Sequence, residues 1–141
     1  MLRLRKNNMK TRILTSKEIV RKHHDIDAGG RILGQLATEV TGLLMGKGKV
    51  LNSVSLVAGD RVTVYNASKI VVTGNRATQK IYHGHSGWPQ GEKEESLAHL
   101  LARRPTEVIR KAVKGMLPNN KLRDDRLKML KIYDKNKDIR A

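Results

Sequence analysis

The sequence predicts a single α/β domain, and three observations support this prediction. Segments with the alternating apolar pattern of strands are interspersed with segments that have the apolar spacing of helices. A length of 141 residues suits one domain. Hydrophobic residues make up 38% of the chain, which is enough for a buried core. Because such elements usually form a sheet with helices against it, we expect a sheet that is covered on both faces.

The first predicted elements are a short strand and a helix. The strand ends near Asp27, and Gly29-Gly30 follows it as a turn. Gly46 is placed to end the helix. The apolar residues that share one face of this helix are Leu33, Leu36, Ala37, Val40 and Leu44.

Three further extended segments follow. Val62 and Val64 alternate with polar neighbours, which is typical of a strand. A second β-branched run, 70–73, predicts the next strand, which ends at Gly74-Asn75. A third extended piece carries Ile81 and Tyr82 into a loop.

The remaining elements are mainly helical. Leu97, Leu100 and Leu101 form one apolar face, and Pro105 suits the first turn of the next helix. We expect Gly115, in a left-handed conformation, and Pro118 to end that helix. A further helix, capped by Asn119 or Asn120, extends to about Met129, and a last strand covers 130–133.

The charge of the chain is strongly positive and unevenly distributed. The net charge is +16, and the sequence pI is about 10.5. Residues 1–24 hold eight basic and one acidic residue, 25–102 hold eight and seven, and 103–141 hold thirteen and five. A nearly neutral middle lies between two basic ends, which favours binding to a polyanion such as nucleic acid. We therefore divide the chain into a basic extension (1–24), the domain (25–133) and a polar tail (134–141).

Several classes of protein are disfavoured. Without cysteine the chain has no disulfide, no thiolate metal site and no cysteine nucleophile. No apolar run is long enough for a membrane span, and the N-terminal segment lacks the apolar centre of a secretory signal, so we expect a soluble protein without membrane partners.

The loop KIYHGHSGWPQGEK (80–93) is the densest candidate site. We expect His83 and His85 to point to opposite sides of a strand, and no further ligand lies at a recognisable spacing, so we predict no metal. No nucleophile and base pair is recognisable either, so we predict no catalytic residue. Two interpretations remain open: Trp88 and the imidazoles stack on RNA bases, or Trp88 packs a rigid turn onto the protein surface.

Two glycine-containing segments give weaker signals. The segment GGRILG (29–34) lies between a strand and a helix, but it lacks the glycine spacing of a dinucleotide site. The segment GKGK (46–49) lacks the remaining residues of a phosphate-binding loop. We interpret it as a helix end with two exposed lysines, Lys47 and Lys49, which bind phosphate.

Five blocks of the sequence resemble one family in order and separation, namely that of the thirteenth protein of the large ribosomal subunit. The family pattern has an aromatic residue where His83 stands, arginine where Gly84 stands, and histidine at His85. The segment 50–57 departs from the family pattern while keeping its length. The matching blocks are IDAGGRILGQLAT (26–38), MGKGK (45–49), GDRVTVYNASKIVVTGN (59–75), YHGHSGWPQG (82–91) and KAVKGMLPNNKL (111–122).

The resemblance implies a three-layer α/β/α domain with a four-stranded parallel sheet. It also implies a structural protein that binds large-subunit ribosomal RNA, contacts neighbouring ribosomal proteins and joins the subunit early in assembly. No enzyme activity, cofactor or small-molecule substrate is expected, and the location is the ribosome, cytoplasmic or organellar. The alternative hypothesis is a small α/β enzyme that acts on a nucleotide or RNA.

The residues that we expect to contact RNA are basic, aromatic or amide side chains. They are Lys47, Lys49, Arg76, Tyr82, His85, Trp88, Arg110, Lys111, Lys114, Asn119, Asn120, Lys121, Arg123, Arg126 and Lys128.

Overall fold

The computed structural model describes residues 19–49 and 55–135. These residues form a mixed α/β domain. The strands are β1 (His23–Asp27), β2 (Arg61–Tyr65), β3 (Ile81–His85), β4 (Glu92–Ser96) and β5 (Leu130–Ile132). The helices are α1 (Leu33–Met45), α2 (Arg76–Gln79), α3 (Leu97–Arg103), α4 (Pro105–Met116) and α5 (Arg123–Lys128), and a 3₁₀ turn covers Ala67–Lys69.

A parallel sheet in the order β1-β2-β5 forms the centre of the domain. Ile26 pairs with Val64 across β1 and β2, and Val64 pairs with Ile132 across β2 and β5. The α/β class is therefore confirmed, but the described residues contain a three-stranded parallel sheet and a separate antiparallel pair, β3-β4. The prediction of a four-stranded parallel sheet was wrong.

The missing strand is the β-branched run 70–73. Only Val71 forms a bridge, parallel to Ile32. Its N–H donates to the Arg31 carbonyl over 2.9 Å, and its own carbonyl accepts from Leu33 N–H over 3.0 Å. Because Leu33 begins α1, the partner chain turns into a helix after this bridge, and no ladder can continue.

Helix α1 follows the predicted pattern. Its buried residues are Leu36, Ala37, Val40, Thr41 and Leu44. Gly46 ends it in the left-handed conformation (φ 71°), which confirms the predicted stop.

Both long helices lie on one face of the parallel sheet. The inward residues Ile26, Val62, Val64 and Leu130 belong to a single core cluster with residues of α1 and α4. The opposite face carries polar side chains, among them those of His23, Asp25, Arg61, Thr63 and Lys131. On this second face Thr63 is nevertheless buried, and residues of α5 line the cavity beside it, so the two long helices cover one face while α5 lies beside the other. All strand side chains that pack against α1 and α4 come from one face only.

The ends of α4 and α5 differ from prediction. Helix α4 includes Gly115 and ends at Met116, and Leu117 is extended (φ −73°, ψ 144°). Pro118 accounts for this end, because the residue before a proline is disfavoured in the helical region. No side chain caps α5, which begins at Arg123, so the predicted asparagine cap was wrong.

Among the described residues, no helix is long and apolar enough to cross a membrane.

The hairpin of β3 and β4 projects beside α3. Its inner side carries Tyr82, which packs against a small core cluster of Leu97, Leu100 and Val108. A tight turn joins the strands: Ser86 N–H donates to the Gly91 carbonyl over 3.0 Å. Strand β4 is rich in charge (EKEES), and its pattern did not predict a strand.

Candidate nucleic-acid interface

The outward side of α4 carries a row of cations. Arg110, Lys111 and Lys114 are exposed, while Val108, Ile109 and Val113 of the same helix are buried. This separation arises from the helical spacing of apolar residues, so the helix presents positive charge as a continuous surface. The sequence-predicted arrangement of these three cations is confirmed.

Two further cations join this row across a groove. The groove has a volume of about 350 Å³ and lies between the start of α1, α2 and α4. Arg76, Lys80 and Lys111 are among its lining residues. Lys80 was missed in the sequence analysis, although its place two residues before Tyr82 was a usable signal. We call Arg76, Lys80, Arg110, Lys111 and Lys114 the α4 surface.

Tyr82 anchors the lysines of the α4 surface. The Lys111 Nζ lies 4.4 Å from the centre of the Tyr82 ring, and the Lys80 Nζ lies 5.4 Å from it. Both distances are within cation–π range. Burial raises the pKa of Tyr82, so its hydroxyl stays neutral beside the lysines. No described carboxylate forms a salt bridge with any cation of the α4 surface, which leaves these charges available to an anionic ligand.

The predicted RNA contacts that follow α4 form no hydrogen bond or ion pair with the described residues of the α4 surface. Asn119, Asn120 and Lys121 lie in the loop between α4 and α5. Arg123 is half-buried, and its Nε donates to the Pro118 carbonyl over 3.5 Å. The structure shows these side chains at the surface without a contact that gathers them beside Lys114.

The two lysines after α1 have different environments. Lys47 is exposed, as predicted. Lys49 is half-buried and forms an ion pair with Asp60. Its Nζ also donates to the carbonyls of Val20 (2.7 Å) and Ala58 (2.9 Å). The prediction that Lys49 is exposed was wrong, because burial and three oxygen partners make its ammonium part of the fold.

Two predicted residues of α5, Arg126 and Lys128, are less available to RNA than the cations of α4. Arg126 is 5% exposed, and its Nε and Nη1 atoms have no hydrogen-bond partner among the described residues. A buried guanidinium is poorly placed for phosphate contact. Lys128 is exposed and pairs with Asp125 at 2.9 Å, which partly neutralises it.

The hairpin turn presents Trp88 to solvent. The side chain is 76% exposed, so Trp88 does not pack the turn onto the protein surface. The turn is nevertheless ordered, since Gly91 N–H donates to the Trp88 carbonyl over 2.9 Å and Gly87 N–H donates to His85 Nδ1 over 2.9 Å. An exposed indole on an ordered turn is suited to stacking on a base.

His83 and His85 lie on the same side of β3. Residues two apart in a strand share a face, so the expectation of opposite sides was wrong. The partner strand places Glu94 opposite His83 and Glu92 opposite His85. All four side chains therefore lie on the outer face of the hairpin.

A second basic region lies on the polar face of the sheet. This face contains a cavity of about 580 Å³, which is bounded by residues near the starts of β1, β2 and β5 and by residues of α5. Of the predicted RNA contacts it contains Lys128 alone, while Arg21, Arg61 and Lys131 were missed. The alternation of polar residues with Val62 and Val64 was the signal that could have found this face. Its lining residues are Arg21, His23, Arg61, Thr63, Asp125, Lys128, Met129 and Lys131.

The same face holds a Thr–His–Asp cluster that resembles a catalytic arrangement. The Thr63 hydroxyl and an Asp25 carboxylate oxygen each lie 3.0 Å from His23 Nε2. A catalytic triad needs the two partners on different ring nitrogens, so that one orients the ring while the other exchanges its proton. Because both partners meet one nitrogen, this cluster lacks the geometry of a triad.

Comparisons with known proteins agree with the resemblance in the sequence. Residues 21–138 match the family described as Ribosomal protein L13. The large ribosomal subunit protein uL13 of Syntrophotalea carbinolica is 42% identical over 125 residues, 89% of this chain and 88% of its own. Its counterparts in Trichlorobacter lovleyi and Dehalococcoides mccartyi are 44% and 46% identical over 125 and 126 residues, with the same coverage of both chains. This chain therefore belongs to the ribosomal protein L13 family.

Proposed function

We propose that this chain is a structural component of the large ribosomal subunit that binds large-subunit ribosomal RNA and supports early assembly of the subunit. The observation that carries this proposal is the α4 surface, where two pockets that share Lys111 bring five cations together. None of the five forms a salt bridge among the described residues, and Glu107, which lines one of the pockets, pairs with Arg104 instead. Such a surface is complementary in charge to an RNA backbone. The ribosomal relatives at 42–46% identity supply the class of RNA.

The contacts differ in kind along the protein. Arginine and lysine of the α4 surface bind phosphate, and Trp88 at the hairpin turn stacks on an unpaired base. Phosphate contacts position the protein, whereas a stacking contact selects a single-stranded nucleotide. The protein has no catalytic residue or small-molecule substrate in this role, and it acts in the ribosome of the cytoplasm, beside neighbouring proteins of the same subunit.

An RNA titration with matched variants tests the proposal. We compare the wild type with a variant carrying Arg110→Ala, Lys111→Ala and Lys114→Ala, using a large-subunit rRNA fragment at several salt concentrations. The affinity falls, and the slope of log affinity against log salt becomes shallower by about 0.7 to 0.9 for each lost phosphate contact.

The control variant removes three exposed lysines elsewhere, with Lys69→Ala, Lys93→Ala and Lys135→Ala. Both variants lose three positive charges. If only the net charge mattered, both would therefore lose the same amount of affinity for RNA. The proposal for the α4 surface is wrong if the two variants bind RNA with the same affinity and the same salt slope. Turnover of nucleotide or RNA by the purified protein would instead favour the enzyme hypothesis.

A further inference from the structure

The outer face of the β3–β4 hairpin brings together side chains that ligate metals. His83 lies directly opposite Glu94, and Glu92 is the next residue of β4 on the same face. The three side chains are exposed, each by more than half of its area. Sequence spacing did not reveal this group, because the two glutamates come from a strand that the sequence did not predict.

The distances between the ligand atoms are close to those of a metal site. His83 Nδ1 lies 3.2 Å from Glu94 Oε1 and 3.7 Å from Glu92 Oε1. One ligand atom from each residue lies within 4.8 Å of the other two. Tetrahedral zinc with bonds of about 2.0 to 2.2 Å has ligands about 3.3 to 3.6 Å apart. Small rotations of exposed side chains are enough to reach this geometry.

The charges of this face also favour a cation. Glu92 and Glu94 bring two carboxylates to one side of a single strand. Lys93 lies between them in sequence, but strand alternation directs it to the other side. Arg103, the cation that pairs with the hairpin, binds Glu95 on that other side. The outer face is thus an acidic site in a chain whose net charge is +16.

His85 shares this face, but its hydrogen bond keeps it from serving as a fourth ligand. Its Nδ1 accepts the Gly87 N–H over 2.9 Å. A neutral imidazole that accepts at Nδ1 carries its proton on Nε2, so neither nitrogen has a free lone pair for a metal. The described residues therefore offer three ligands, and water completes the coordination.

We propose that His83, Glu92 and Glu94 form a binding site for a divalent transition-metal ion of the zinc class, which links β3 to β4. An imidazole nitrogen with two carboxylates suits zinc, whereas magnesium prefers oxygen ligands alone. An isolated two-stranded hairpin is marginally stable, and a cross-strand ion holds its two strands and the Trp88 turn together. The site is distinct from the family pattern, which has an aromatic residue at the position of His83.

Zinc titration of the full chain, freed of RNA, tests this site by calorimetry. The wild type binds one equivalent of Zn²⁺ that a tenfold excess of Mg²⁺ does not displace. His83→Gln and the double variant Glu92→Gln with Glu94→Gln each weaken binding at least tenfold. His99→Gln serves as the matched control, because His99 pairs with Glu95 at 2.7 Å but has no third ligand in the described residues. This control binds Zn²⁺ like the wild type.

Amide hydrogen exchange provides a second readout that ordinary surface ion pairs would not change. Zn²⁺ slows exchange in the strands β3 and β4 of the wild type and of His99→Gln, and leaves exchange in His83→Gln unaltered. The proposal is overturned if His83→Gln binds Zn²⁺ as tightly as the wild type, or if the wild type shows no saturable equivalent. Either result is independent of RNA binding, which rests on the α4 surface.

Discussion

Two clusters of this domain each combine a carboxylate with a histidine and a basic side chain, but one carboxylate is buried and the other lies nearer the surface. Asp60 is 6% exposed and accepts from Lys22 N–H (2.8 Å), pairs with His24 Nε2 (3.1 Å) and pairs with Lys49. Glu95 is also a carboxylate with one histidine and one cation, but it lies at the surface of the hairpin.

The difference lies in what each cluster connects. The Asp60 cluster joins the segment before β1, the turn after α1 and the start of β2, which are distant in sequence. The Glu95 cluster joins β4 only to α3, through His99 and Arg103, four and eight residues away. A carboxylate with a histidine and a cation thus stabilises the fold at Asp60 and only a local contact at Glu95, and the difference in burial accounts for this.

The largest effect is expected at Gly59, which allows the Asp60 cluster to form. A Cβ at this position would come within 1.9 Å of the Leu44 carbonyl oxygen, a backbone atom that cannot move alone. Gly59→Ala should therefore lower the free energy of unfolding by about 3 kcal/mol or more.

Gly115→Ala is the control for this substitution. Gly115 lies inside α4, and a Cβ there meets nothing within 4 Å. We expect it to raise the free energy of unfolding by about 0.5 to 1 kcal/mol, because alanine is the better helix former. Urea denaturation of both variants measures the contrast, and equal destabilisation would contradict the close approach at Gly59.

The next largest effect should distinguish Lys49 from Lys47, two lysines that lie two positions apart in the sequence. Lys49→Met leaves the buried Asp60 carboxylate without its cation, which should cost about 2 to 3 kcal/mol of unfolding free energy. Lys47→Met should change stability by less than about 0.5 kcal/mol, because Lys47 is exposed. The measurement is again urea denaturation. Similar losses in both variants would show that the Asp60 pair does not support the fold.

A smaller effect should follow from acid titration of Asp60. Burial alone would raise the pKa of this carboxyl, but the Lys49 ammonium, Lys22 N–H and His24 outweigh it, and its pKa is lowered from 3.8. The folded state thus binds the proton less readily than the unfolded state. The stability from this group is complete above about pH 5 and is lost as the pH falls below about 4.

Comparison with Asp60→Asn isolates this titration from those of the other acids. The difference in melting temperature between wild type and Asp60→Asn should be largest near pH 6 and should shrink toward pH 3. Thermal melts by circular dichroism at several pH values measure it. A difference that stays constant with pH would mean that Asp60 does not carry the expected linkage.

The parts of the fold that were predictable depend on local pattern. The helical spacing of α1, its glycine end and the alternation of Val62 and Val64 each fix an element from neighbouring residues alone. The run 70–73 has the composition of a strand, but its partner at Ile32 turns into a helix after one bridge. Local composition cannot show how long a neighbouring segment stays extended.

The candidate sites were predictable only where one helix carries them. The cations of α4 follow from its amphipathic spacing, which is visible in the sequence. The role of Lys49 depends on Asp60, eleven positions later and on a different element. The group on the hairpin depends on β4, a charged segment that pairs with β3 because an ordered turn closes the hairpin. Contacts between elements were therefore the missing information.

The smallest effect is expected at Glu95, the less buried carboxylate of the comparison. Glu95 accepts from Arg103 (2.8 and 2.9 Å) and pairs with His99 (2.7 Å), and these partners lower its pKa. Water screens such a surface group, and its long partners lose side-chain freedom when they pair. Glu95→Gln should therefore keep the melting temperature within about 2 °C of the wild type at pH 7. Thermal melts at low and high salt test this, since a surface pair weakens as salt rises. A loss as large as that of Lys49→Met would show that this contact, and not burial, determines the strength of such clusters.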